Sequence, residues 1–253
     1  MPKTLSLINS LRNILGKREF DHEPTEAARV LNEIIGLRNI GQNYLEIGVE
    51  FGLTLLSVKS SKKMGVDPEP KIHPKLNDRI TKLFVGTSDA FFKSKYNCPP
   101  YDLVYLDGLH TFEQTYSDLK NAFSNSTSNA VILIDDTVPT DSYSTNPNGL
   151  EAYRSREEAG IKNTGAWHGD VYKVVIALSR LNVTNLEIRT IINLSNPKTA
   201  LFLKHGAKWP DIPNLVDLSS FSEETYEKIF LPNISEQFFP VTLEEFLEDL
   251  SKK

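Results

Sequence analysis

The 253-residue chain has one cysteine, Cys98, so an internal disulfide framework is excluded and a reducing, cytoplasmic setting is expected. It lacks any apolar run near the ~18 residues that cross a bilayer, so no membrane-spanning segment is expected. It also lacks a basic surplus. A formal net charge of −5 argues against a nucleic-acid backbone as partner, because phosphate contacts need a basic face. Residues 1–18 carry Lys3, Arg12, Lys17 and Arg18 without an acid, yet "LSLINSLRNIL" shows neither the apolar core nor the cleavage site of a secretion signal. An amphipathic helix is expected there. Internal repeats and low-complexity tracts are absent. A hydrophobic content of 40 % suffices for a sizeable core.

What is present is an alternation of short apolar runs with helical stretches. "PTEAARVLNEIIGLRNI" (24–40) has helical spacing, with Pro24 near its start. Short apolar runs at 44–47, 63–66, 83–85, 103–106 and 131–134 are continuous rather than alternating, which suits parallel strands covered on both faces. Residues 186–192 and 199–206 read as two further strands, a terminal antiparallel pair. The fold class expected is α/β: a doubly wound, Rossmann-like, seven-stranded and mostly parallel sheet with helices on both faces. Residues 1–40 are read as N-terminal helices, 41–206 as the main domain, and 207–253 as a helical extension packed outside the sheet. The polar stretch 136–165 is long for a plain connection and reads as a lid, with a helix over 150–159.

In such sheets ligands bind beyond the carboxyl ends of the strands. Four of the runs end in or beside an acid: Glu46, Asp67, Asp107 and Asp135. The first strand opens into Glu46-x-Gly48-x-x-x-Gly52, where Gly48 lets backbone approach a ligand and Gly52 lets the next helix pack tightly. Asp67 lies 21 residues after Glu46, where an acid can accept both hydroxyls of a ribose. The loop does not spell the Gly-x-Gly-x-x-Gly of nicotinamide enzymes.

In "DLVYLDGLHTFEQ", Thr111 and Gln114 have capping-box spacing, so a helix should begin at Phe112 with Asp107 and His110 in the loop before it. An imidazole that is neutral near pH 7 can accept a proton as a general base. "VILIDD" adds Asp135 and Asp136. Three carboxylates from adjacent strand ends repel unless a cation sits between them, and oxygen donors suit Mg²⁺, Mn²⁺ or Ca²⁺.

The glycine loop with its second-strand acid resembles the class I S-adenosylmethionine-dependent methyltransferases. That resemblance implies that Glu46, Gly48 and Gly52 line the methionine end of the cofactor. Asp67 would hold the ribose, and Gly86, Thr87 and Ser88 would lie beside the adenine. "DLVYLDGLH" followed by "VILIDD" resembles the metal-dependent O-methyltransferases, above all those acting on sugars of macrolides and glycans. By that resemblance Asp107, Asp135 and Asp136 bind Mg²⁺ and His110 is the base. The implied acceptor is a hydroxyl of a small molecule or sugar; homo-oligomerisation is left open. Rival readings are a nicotinamide-dependent oxidoreductase and a cofactor-binding module without catalysis. "NCPPY" (97–101) reads as a turn into a strand. Trp167 can stack on a sugar or pack in the core, and His168 is a second acid–base candidate. Asp170 is expected to cap the helix that follows it. His22, His73, His205, Lys71 and Lys75 are read as surface or structural residues.

Overall fold

The computed structural model describes residues 23–72, 80–162, 166–181, 183–213, 226–231 and 233–252. The expected first helix (1–18), His22, His73 and Lys75 lie outside them. Helix α1 (Glu26–Arg38) starts where Thr25 accepts from the Ala28 amide, and it ends at Asn39 in the left-handed conformation. Then follow β1 (Tyr44–Ile47), α2 (Leu53–Ser57), β2 (Lys63–Asp67), β3 (Thr81–Val85), α3 (Ser88–Phe92), β4 (Tyr101–Leu106), α4 (Phe112–Asn125) and β5 (Ser126–Ile134). The lid holds α5 (Gly149–Glu158). After it come α6 (Tyr172–Leu181), β6 (Leu186–Ile191), β7 (Lys198–Leu203), α7 (Tyr226–Phe230), β8 (Pro240–Val241) and α8 (Leu243–Ser251).

The sheet order is β3-β2-β1-β4-β5-β7-β6-β8. β1 to β5 are mutually parallel, whereas β7 runs antiparallel to both β5 and β6. Among the described residues the sheet has eight strands, not seven. The extra one is the two-residue β8, which pairs with the free side of β6, so the C-terminal region adds to the sheet edge as well as packing helices beside it. Two residues are too few to leave a periodic signal, and a proline is tolerated at an edge.

Strand residues alternate between two apolar layers, which is why the runs read as continuous. Val104, Leu106, Ile132 and Ile134 meet Phe112, Tyr116 and Leu119 of α4 and Val174 to Leu178 of α6. On the other face Leu103, Tyr105, Val131 and Leu133 meet Val30, Leu31 and Ile34 of α1 and Phe246 and Leu250 of α8. The order reverses between β1 and β4, where Ile47 and Leu106 are in register. The crevice there is the position that a doubly wound sheet offers to a ligand.

Candidate functional site

A cleft of about 870 Å³ opens above that reversal. Its walls include Glu46, Gly48, Asp67, Thr87, Ser88, Asp107 and His110, so one cavity gathers the glycine loop and the Asp-Gly-x-His loop. The two are in direct contact. Gly48 has φ +85°, and a Cβ there would stand 1.7 Å from the carbonyl oxygen of Asp107. Only glycine fits. Gly52, at φ +73°, forms the cap of α2 and packs on Ile72.

Glu46 lies under this loop, 1 % exposed, and accepts from the Tyr44 hydroxyl at 2.5 Å. Burial pushes its carboxyl up to about 8, against the hydrogen bonds from Tyr44 and the Leu55 amide. Asp67 Oδ2 accepts from the amides of Val49 and Glu50, each at 2.9 Å, and Oδ1 from Glu69 at 2.7 Å. These bonds shape the glycine loop and use three of the roughly four acceptor positions of a carboxylate. Thr87 caps α3, and Ser88 Oγ accepts from Gln114 Nε2 at 3.1 Å. Gln114 therefore does not close the expected capping box: Thr111 caps α4, but the glutamine side chain turns to Ser88 and to Asp118. Asp118, at the same end of the cleft, is pushed up to about 6 by burial.

At the other end stand the carboxylates. His110 Nδ1 lies 2.9 Å from the Trp167 carbonyl, which can only accept, so Nδ1 carries the proton and donates. Nε2 then faces Asp136 Oδ2 at 3.0 Å and Asp107 Oδ1 at 3.8 Å. Asp107, His110 and Asp136 each offer a donor atom within 4.8 Å of the others. Asp136 reaches this position through a left-handed backbone, φ 57°, which aspartate tolerates better than most residues. Desolvation raises the carboxyls of both Asp107 and Asp136, and neighbouring acids raise them further.

Asp135 stands apart from the set expected for it. Its Oδ1 accepts from Lys198 Nζ at 2.5 Å, Asn196 Nδ2 at 2.9 Å and the Asp136 amide at 2.9 Å. Its Oδ2 accepts from the buried Tyr105 hydroxyl. Lys198 and Asn196 were not legible as site residues. The available signal was a lysine opening an apolar strand that runs antiparallel, which brings its first residue to the rim where the parallel strands end.

The lid closes over His110. Trp167 lies against the imidazole with ring centroids 4.7 Å apart, and its Nε1 donates to Asn146 O at 2.7 Å. Arg156, fully buried, holds Asp141 through two 3.0 Å bonds and the Ala166 carbonyl at 2.6 Å. His168 is 5 % exposed, with Nε2 3.8 Å from Asp136 Oδ1, and burial lowers its pKa. Asp170 does not cap its own helix. It accepts from the Phe112 amide at 2.7 Å and from Lys173 Nζ at 2.7 Å, and so caps α4 from outside. Of the remaining residues, Lys71 pairs at the surface with Glu50.

Residues 45–137 match the family described as a methyltransferase domain. No curated protein matches the chain. Among solved structures, the chain is similar to an O-methyltransferase from Bacillus cereus in complex with SAH. The identity is 13 %, the TM-score 0.53, and the alignment covers 81 % of this chain and 92 % of that one. It is similar as well to TomG of Streptomyces achromogenes, an O-methyltransferase involved in tomaymycin synthesis and solved with SAM. Here the identity is 13 %, the TM-score 0.51, and the coverage 81 % and 91 %. The mixed α/β sheet has the fold of these two structures. Among the described residues, no helix is long and apolar enough to cross a membrane.

Proposed function

We propose that this chain is a methyltransferase that uses S-adenosylmethionine to methylate a hydroxyl of a small molecule or sugar, with a divalent cation at the acidic end of the cleft. The observation that carries the reading is the contact between the glycine loop and Asp107, which makes the cofactor end and the acidic end one cavity. The neighbours solved with SAH and SAM support the choice of cofactor.

Bound in the cleft, the sulfonium supplies an electrophilic methyl group and the cation supplies Lewis-acid polarisation of the acceptor hydroxyl. Asp107 and Asp136 would hold the cation, since their carboxylates converge on one space and are destabilised as bare anions there. Gly48 lets the glycine loop seat against Asp107 beside the cofactor's place, and the one acceptor position left on Asp67 suits a ribose hydroxyl. Thr87 and Ser88 border the adenine end.

His110 takes the acceptor proton at Nε2. The Trp167 carbonyl fixes the tautomer that leaves this nitrogen basic, and the flanking carboxylates stabilise the imidazolium that forms. Displacement at a methyl carbon is in line, so much of the acceleration comes from holding the acceptor still. Trp167 and Tyr153 supply aromatic faces at the lid side of the cleft for that purpose.

Calorimetric titration with S-adenosylhomocysteine tests the cofactor half: binding in the micromolar range is expected, and none at millimolar ligand ends the proposal. Methyl transfer from labelled cofactor to a panel of hydroxyl acceptors, with and without chelator, tests the rest. Turnover indifferent to chelator would remove the cation.

A further inference from the structure

Lys198 is a lysine that is 3 % exposed, and its ammonium touches one carboxylate of an acid-rich rim. It is the first residue of β7, and the antiparallel pairing of Thr199 with Ile134 sets it beside the end of β5. Around it, Asp135 receives four donors: Lys198 Nζ, Asn196 Nδ2, the Asp136 amide and the Tyr105 hydroxyl. That fills the acceptor capacity of a carboxylate. A metal ion could enter this set only by displacing the ammonium, which would leave a buried cation beside a divalent one. Asp136 differs. Its Oδ1 accepts from Asn196 Nδ2 at 3.2 Å, while Oδ2 lies 3.0 Å from His110 Nε2.

We propose that Lys198 is a tethered cation that withdraws Asp135 from metal binding, so that Asp135 is a positioning residue and the divalent ion is left to Asp107 and Asp136. This rests on the reading above that the cleft holds a divalent ion. The lysine thereby sets how strongly the ion is held. Three free carboxylates would bind it tightly; two, beside a fixed positive charge, bind it weakly enough to exchange. Asp135 has instead the task of orienting Asn196, which in turn holds Asp136.

The test uses Mn²⁺ binding to the full chain, followed by calorimetry and by the electron paramagnetic resonance signal of free Mn²⁺, with no turnover required. The double variant Lys198→Met/Asp135→Asn removes the pair without changing local charge. Its Mn²⁺ affinity is expected to stay within about threefold of wild type, because neither residue is a ligand. Lys198→Met alone frees a carboxylate and removes a positive charge, so Mn²⁺ should bind at least about tenfold tighter. A tenfold or greater loss in the double variant makes Asp135 a ligand and overturns the proposal, as does unchanged affinity in folded Lys198→Met. If wild type takes up no Mn²⁺, the metal reading fails by itself and the single variant decides the role of the lysine. Uptake that vanishes on adding Asp135→Asn supports withdrawal, and no uptake refutes it. Lys198→Gln, which can still donate to Asp135, replaces the methionine variant if that does not fold.

Discussion

The cleft has two ends built by different means. The cofactor end, above β1 to β3, is shaped by backbone: a glycine with no room for a Cβ, and amides of the glycine loop gathered on Asp67. The acidic end, above β4, β5 and β7, is shaped by side-chain charge, with a lysine, an asparagine and two histidines disposed around three carboxylates. The first end should fail through geometry and the second through electrostatics. Single substitutions can separate the two.

The largest effect is expected at the acidic end, on rate. His110→Ala should lower kcat by about 10²–10⁴-fold, the usual worth of a general base, while S-adenosylhomocysteine binding measured by calorimetry stays within a few-fold. Next comes Lys198→Met, this time for stability: an unpaired buried Asp135 should cost about 3–5 kcal/mol in chemical denaturation, most of it recovered in the double variant with Asp135→Asn. At the cofactor end, Gly48→Ala combines a left-handed backbone with a collision against the Asp107 carbonyl. A loss on the order of 2–4 kcal/mol is expected, together with loss of S-adenosylhomocysteine binding that no change of salt or pH restores.

A last test sharpens the contrast through pH. Glu46 sits in the geometric end yet is a titrating group, ordinarily near 4.5 and here raised to about 8. The folded state therefore holds its proton more tightly than the unfolded chain. The stability that this contributes is present below about 4.5 and is lost as the pH rises to about 8. Glu46→Gln should remove that dependence. Its melting temperature relative to wild type should climb between pH 5 and pH 9; a constant offset would show that Glu46 titrates normally.

How far each end was legible follows the same division. Gly48, Gly52, Glu46 and Asp67 lie within one strand–turn–helix–strand unit, so spacing along the chain is close to spacing in the fold. The strands were legible because both faces are covered, leaving uninterrupted apolar runs. The pairing of Asp135 with Lys198 was not, because Lys198 lies 63 residues later on a strand of opposite direction. Gln114 and Asp170 were misplaced for a related reason. Each has a local capping role in sequence terms, but tertiary contacts, Ser88 and Asp118 for one and the Phe112 amide for the other, claim the side chain. The edge strand β8 was too short to leave a pattern at all.

The strap from Ala166 to Asp170 bears on more than enclosure. At Gly169 a Cβ would stand 1.6 Å from the His110 carbonyl oxygen, the Trp167 carbonyl anchors the imidazole, and Asp170 seats the start of α4. Strap and imidazole are thus one mechanical piece. On the mechanism proposed above, lifting the tryptophan would also release the ring from its anchor, so the base would be aimed only while the strap is seated.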